Sequence, residues 1–161
     1  MESMNDKKKE LCDMLHSVNI GERHIVDRLL EDKGIYFGQP PILCYLSKNP
    51  NATQKDIADS LGISPASVAV SVKRMEKAGV ISRQTDRDDA RRNNLSLTKK
   101  GRELDEFARQ TFAEVDSAKI SGFTEEEIKL MLSLIKKMND NLRAAFPEKA
   151  KRIKLKEEQD V

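Results

Sequence analysis

Along most of this chain the apolar residues recur every three to four positions, the spacing of helices that bury one face. From Asp6 to about Lys33, Leu11, Leu15, Val18, Ile25 and Leu29 keep a near-heptad stripe, predicting one long or broken helix with Gly21 as a bend and Gly34 as its end. The segment "GQPPILCYLSKNP" predicts a shorter helix that starts at the prolines, turns Ile42, Leu43 and Leu46 inward and stops at Asn49 and Pro50. In "TQKDIADSLG", Thr53 and Asp56 form a capping box, Ile57 and Leu61 lie one turn apart, and Gly62 is the stop.

Only Ile63 separates that stop from the next start, "SPASVAVSVKRMEKAGV". Ser64 is a natural N-cap, Pro65 suits the first helical position because its missing N–H would be an orphan there, and Gly79 supplies a left-handed stop. Val68, Val72 and Met75 make a single apolar stripe, with Ile63 placed to close over Val68 as a staple, so this helix buries one face and offers the other. Two short helices joined by so tight a turn are a helix-turn-helix candidate. The period then changes: "VISRQT" and "RNNLSLT" alternate apolar and polar positions around the charged connector "DRDDA", which predicts a hairpin. After it, Thr98 caps a long helix with the stripe Leu104, Phe107, Ala108, Phe112, Val115 and Ala118. A second box, Thr124 to Glu127, opens another long helix that runs until Pro147.

The fold class expected is therefore mainly α with a small β-hairpin wing, a winged helix-turn-helix with long N- and C-terminal dimerisation helices. Its parts are an N-terminal dimerisation region over 1–34, the winged helix over 35–100, C-terminal dimerisation helices over 101–147 and a charged tail over 148–161.

Charge sharpens this picture. The formal net charge is only +2, yet residues 64–100 hold nine Lys and Arg against four Asp and Glu, a local excess of +5 that leaves −3 for the remainder. The positive charge surrounds the offered helix, which points to an anionic partner, double-stranded DNA. In the major groove, Ser67 would meet a base edge, Ala66, Ala69 and Val70 thymine methyls, and Lys73, Arg74 and Lys77 the flanking phosphates. Ser64 and Gln54, at helix starts, are candidates for phosphate. Arg83, Arg87, Arg91 and Arg92 lie on or beside the hairpin tip, and Asp89, two residues before Arg91 in an extended segment, is placed to orient that guanidinium.

Other classes recede. No Gly-rich phosphate loop, G-x-S-x-G elbow or H-E-x-x-H is present, so no enzyme is expected. Cys12 and His16 share one helical face with His24 two turns on, which reads as a packed thiol and a surface histidine, with neither metal nor cofactor. No apolar run approaches the ~20 residues of a membrane span. With no apolar signal region after "MESMNDKKKEL", the expected location is cytoplasmic and no membrane partner is expected. A winged helix used only as a protein-interaction module is the alternative from another class.

Over residues 10 to 145 the chain resembles the multiple-antibiotic-resistance regulator (MarR) family. The resemblance rests on "TQKDIADSLGISPASVAVSVKRMEKAGVISRQTDRDDARRNNLSLTKKG", with the D-x-R of Asp89 to Arg91 and the closing "LSLTKKG". It implies a cytoplasmic homodimeric regulator, usually a repressor, that binds pseudo-palindromic operators and often releases DNA on sensing a small molecule or oxidant. One departure is Val70, followed by Ser71, where many members carry Arg, so base readout here is less arginine-driven. The resemblance also suggests a small aromatic ligand where the first two helices meet the fifth, near Tyr36, Phe37 and Tyr45. It suggests redox sensing by Cys12 too, since peroxide-sensing members carry a cysteine in the first helix.

Overall fold

The computed structural model describes residues 3–36, 38–85 and 93–150. In chain order these form α1 (Met4–Glu31), α2 (Gln39–Lys48), α3 (Gln54–Leu61), α4 (Pro65–Lys77), β1 (Ile81–Thr85), β2 (Asn93–Leu97), α5 (Lys99–Lys119), α6 (Glu125–Ala145) and the single turn α7 (Pro147–Ala150). They divide into two compact units, one reaching Lys119 and the other beginning at Ile120.

The predicted caps close as expected. Thr53 Oγ1 accepts the Asp56 N–H while the Asp56 carboxylate accepts the Thr53 N–H, and Thr124 and Glu127 repeat the arrangement. Each reciprocal pair satisfies two backbone donors that a helix start leaves unpaired. A third box, Ser3 with Asp6, starts α1. That helix runs unbroken through Gly21, and the bend expected there is absent.

The core of the first unit is built from Ile42, Leu43 and Leu46 of α2, Ile57 of α3, the Val68, Val72 and Met75 stripe of α4, and Leu95 of β2. The hairpin is antiparallel, with Ile81 opposite Leu97 and Thr85 opposite Asn93. A further strand segment is one residue long: Ala52 bridges Leu95, whose N–H donates to the Ala52 carbonyl at 2.8 Å. Beside it the Asn51 N–H donates to Ser96 Oγ, and that hydroxyl donates to Asn51 Oδ1. The root of the hairpin is thus stitched to the α2–α3 connection.

α5 begins at a crowded junction. Thr98 Oγ1 donates to the Gly79 and Val80 carbonyls and accepts the Gly101 N–H. A Cβ on Gly101 would collide with the Val80 carbonyl oxygen, so only glycine fits. Further along, α5 pairs antiparallel with α1: Lys33 Nζ stands over the Phe107 ring, and Lys119 Nζ donates to Glu22 at 2.7 Å. The α1 residues that reach this core are Val26 and Leu30, one position beyond Ile25 and Leu29 of the predicted stripe. Leu11, Met14, Val18, Ile25 and Leu29 stay exposed on α1. In α5 the inward positions include Asp105 and Thr111, whereas Phe112 and Ala118 of the predicted stripe are exposed. In the second unit α6 buries nothing and exposes Met131, Leu132, Ile135, Met138 and Leu142.

Candidate nucleic-acid interface

The offered helix, α4, is fixed at both ends by its own sequence. Ser64 Oγ accepts the Ser67 N–H at 3.1 Å, Pro65 follows as the first helical residue, and Gly79 (φ 70°) ends the turn after Lys77. At about 3.6 residues per turn, Val68, Val72 and Met75 face one way, and Ala66, Ala69, Val70, Lys73 and Lys77 face the other. The first set is buried and the second exposed, with Val70 54% exposed. A narrow, small-residue face with cations in its last turns suits a groove lined by phosphates.

The flanks of α4 differ. On one, the Ser67 hydroxyl lies 2.8 Å from Ser64 Oγ, so the group expected at a base edge is held by the cap. Arg74, on the same flank, lines a cavity of about 330 Å³ with Gly34, Tyr36, Gln39, Met75, Ala78 and Val80. Tyr36 of the expected ligand set is therefore brought to the recognition helix. Tyr45 packs against the core and is not among these lining residues.

On the other flank stands Glu76. Its Oε1 accepts Arg83 Nε–H and its Oε2 accepts Arg83 Nη2–H, both at 2.8 Å, a two-pronged pair between α4 and β1. The Arg83 hydrogen bonds draw the Glu76 carboxyl below its ordinary pKa, and the same bonds raise that of Arg83. Arg83 also lines an open groove of about 630 Å³ with Thr53, Gln54, Lys55, Asp56, Asp59 and Asn93, at the start of α3 and the root of the hairpin. Gln54 lies on the rim of α3 where a helix start favours an anion.

Arg87, Asp89, Arg91 and Arg92 of the expected wing tip, and Phe37 of the expected ligand set, lie outside the described residues. Cys12 is exposed, which corrects its reading as a packed thiol. Among the described residues no three His, Cys, Asp or Glu side chains gather as a metal site, and no helix is long and apolar enough to cross a membrane. Sequence reasoning missed Glu76 because a single acid among cations reads as a solvated charge. The usable signal was its place at the last turn of α4, just before a glycine stop and a strand whose third residue is basic.

Comparison with known proteins agrees with this geometry. Residues 42–82 match a family profile described as winged helix-turn-helix DNA-binding. The HTH-type transcriptional regulator BilQ of Clostridium symbiosum is 31% identical over 109 residues, covering 68% of this chain and 76% of that protein. The crystal structure of the S. aureus MepR–DNA complex aligns with a TM-score of 0.70 at 28% identity, over 81% of this chain and 97% of MepR. A cysteine-to-serine mutant of E. coli MarR complexed with operator DNA gives 0.67 at 19% identity, over 85% and 99%, which speaks for the fold alone.

Proposed function

This chain belongs to the MarR family of DNA-binding transcriptional regulators, which are not enzymes, and we propose that it is a homodimeric repressor of a pseudo-palindromic operator. The observation that carries the reading is the two-sided α4: one face is sealed into the core, and the other is bare, small and cationic. Ala66, Ala69 and Val70 meet base edges and thymine methyls, while Lys73 and Lys77 meet phosphate. Arg74 and Ser67 serve from the flank, and Ser64, Pro65 and Gln54 present helix starts to the backbone. The wing enters the adjacent minor groove, with Arg83, Arg87, Arg91 and Arg92 as its candidate contacts.

The exposed apolar faces of α1 and of α6 support dimerisation, since a second copy would cover them. Two α4 helices then require half-sites about one helical turn apart. The cavity at Tyr36 and Arg74 supports a small aromatic effector, because a ligand there touches the recognition helix directly. Cys12, exposed on α1, is the group through which an oxidant would act.

The deciding experiment titrates salt against binding to a duplex chosen from a random pool by the protein itself. Counterion release predicts a log–log slope of about −0.9 per phosphate contacted, so affinity falls steeply. A flat salt response, or a pool that converges on no paired half-sites, overturns the reading.

A further inference from the structure

We propose that Glu76 is a positioning residue for DNA recognition: by gripping Arg83 it fixes the wing relative to the bare face of α4. The inference rests on the DNA-binding reading above and goes beyond it, because it assigns a favourable role to a carboxylate at a surface that meets phosphate.

A carboxylate in that place would ordinarily weaken binding, since it repels the nucleic-acid backbone. Here both its oxygens are taken by one guanidinium in the fork geometry that fixes orientation as well as distance. The partner is on β1, so the pair ties the last turn of the recognition helix to the strand that leads into the wing. Arg83 has five N–H donors and spends two on Glu76. Its side chain also lines the groove at Gln54, Lys55 and Asn93. Holding Arg83 therefore does two things: it sets the separation of the major-groove and minor-groove elements, and it keeps the remaining donors in the groove where a phosphate would pass. Below the pair, Ala52 with Leu95 and Asn51 with Ser96 hold the hairpin's root against the α2–α3 connection. The clamp braces the opposite side, towards α4.

The test compares operator with random duplex, using the full chain at one ionic strength. Glu76→Gln is expected to lose roughly three- to tenfold in operator affinity, a fraction of the loss of a direct contact, although it removes a negative charge. Its affinity for random duplex is expected to stay level or rise, since non-specific binding follows charge. Arg83→Gln should weaken operator binding as well, and the double variant should be no weaker than the worse single one. Glu76→Asp keeps the charge but withdraws the carboxylate, and it should show the same loss. This second variant guards against misreading an unfolded Glu76→Gln, and thermal melts accompany each protein. Operator binding by Glu76→Gln as tight as wild type, or an equal loss on both duplexes, overturns the clamp while leaving the DNA reading intact. A wild-type protein that binds neither duplex overturns both.

Discussion

Val70 carries a branched apolar side chain more than half exposed on the face of α4 that offers little else but alanine and lysine. Single exposed apolar residues are ordinary, so its meaning depends on position. It sits at the centre of that face, and on the proposed reading, in which it meets a thymine methyl, Val70→Ala should cost about 1 kcal/mol of operator binding with the melting temperature unchanged. Competition binding against operators altered one base pair at a time checks this, because the loss should vanish where the contacted thymine is replaced. Asp105 is the opposite case: a carboxylate only 2% exposed in the middle of α5. Arg109 Nη2 comes within 3.0 Å of its Oδ2, but the contact lacks hydrogen-bond alignment, and among the described residues that oxygen has no hydrogen-bond partner. The arginine is itself 56% exposed, so its attraction is weakened by water while the carboxylate bears the cost of burial. Asp105→Asn is expected to raise unfolding stability by about 1 kcal/mol in denaturant melts, and a destabilised variant would refute that balance. Neither residue was equally legible in the sequence: Val70 stands out against its apolar stripe, whereas an acid in helical register looks like surface until its neighbours are known.

Caps, stops and periods are local, and they are what the sequence displays best. Thr53 with Asp56, Ser64 before Pro65, and Thr124 with Glu127 form because the partners lie within one turn of each other. The strand segment at Ala52 escapes such reading, since one bridging residue has no alternation to detect. The inward face of α1 escapes it too: two adjacent apolar stripes differ by a single position, and only α5 decides that Val26 and Leu30 go in. Where elements meet, Gly101 is the sharpest constraint. Gly101→Ala drives a methyl into the Val80 carbonyl, an immovable backbone atom, and should destabilise the fold by about 1–3 kcal/mol in thermal or urea melts. The Glu76–Arg83 link has a pH signature. A carboxyl whose folded pKa is lowered adds stability above its unfolded pKa and loses it as pH falls through the folded one. The stability difference between wild type and Glu76→Gln is therefore expected to be constant across the neutral range and to shrink only in acid, as pH-dependent melts would record.

At the scale of the whole molecule, net charge conceals the organisation, because a +5 segment is nearly cancelled by the rest of the chain. Solubility follows the total, and attraction to nucleic acid follows the segment. Apolar residues are similarly segregated: the exposed leucines, valines and methionines of α1 and α6 exceed what scattered surface positions account for. Val18→Glu and Leu132→Glu are each expected to shift the protein towards monomer in sedimentation at micromolar concentration. Each should lower operator affinity at least tenfold, on the order of the avidity that two linked half-sites lend each other. A variant that stays dimeric and binds normally would place the interface elsewhere.

The pairing of α1 with α5 also sets an order in time. Glu22 and Lys119 lie 97 residues apart, yet they meet at 2.7 Å, so the helix made first at the ribosome waits for the one made late. At about 5–20 residues per second, that interval is several seconds long. The segment between them closes its own core through nearer contacts, α3 on α4 and β1 on β2, and these form sooner because shorter loops cost less entropy to close. During synthesis these local contacts are thus expected to form before α1 can dock on α5, and the core stays incomplete until Val26 and Leu30 join it.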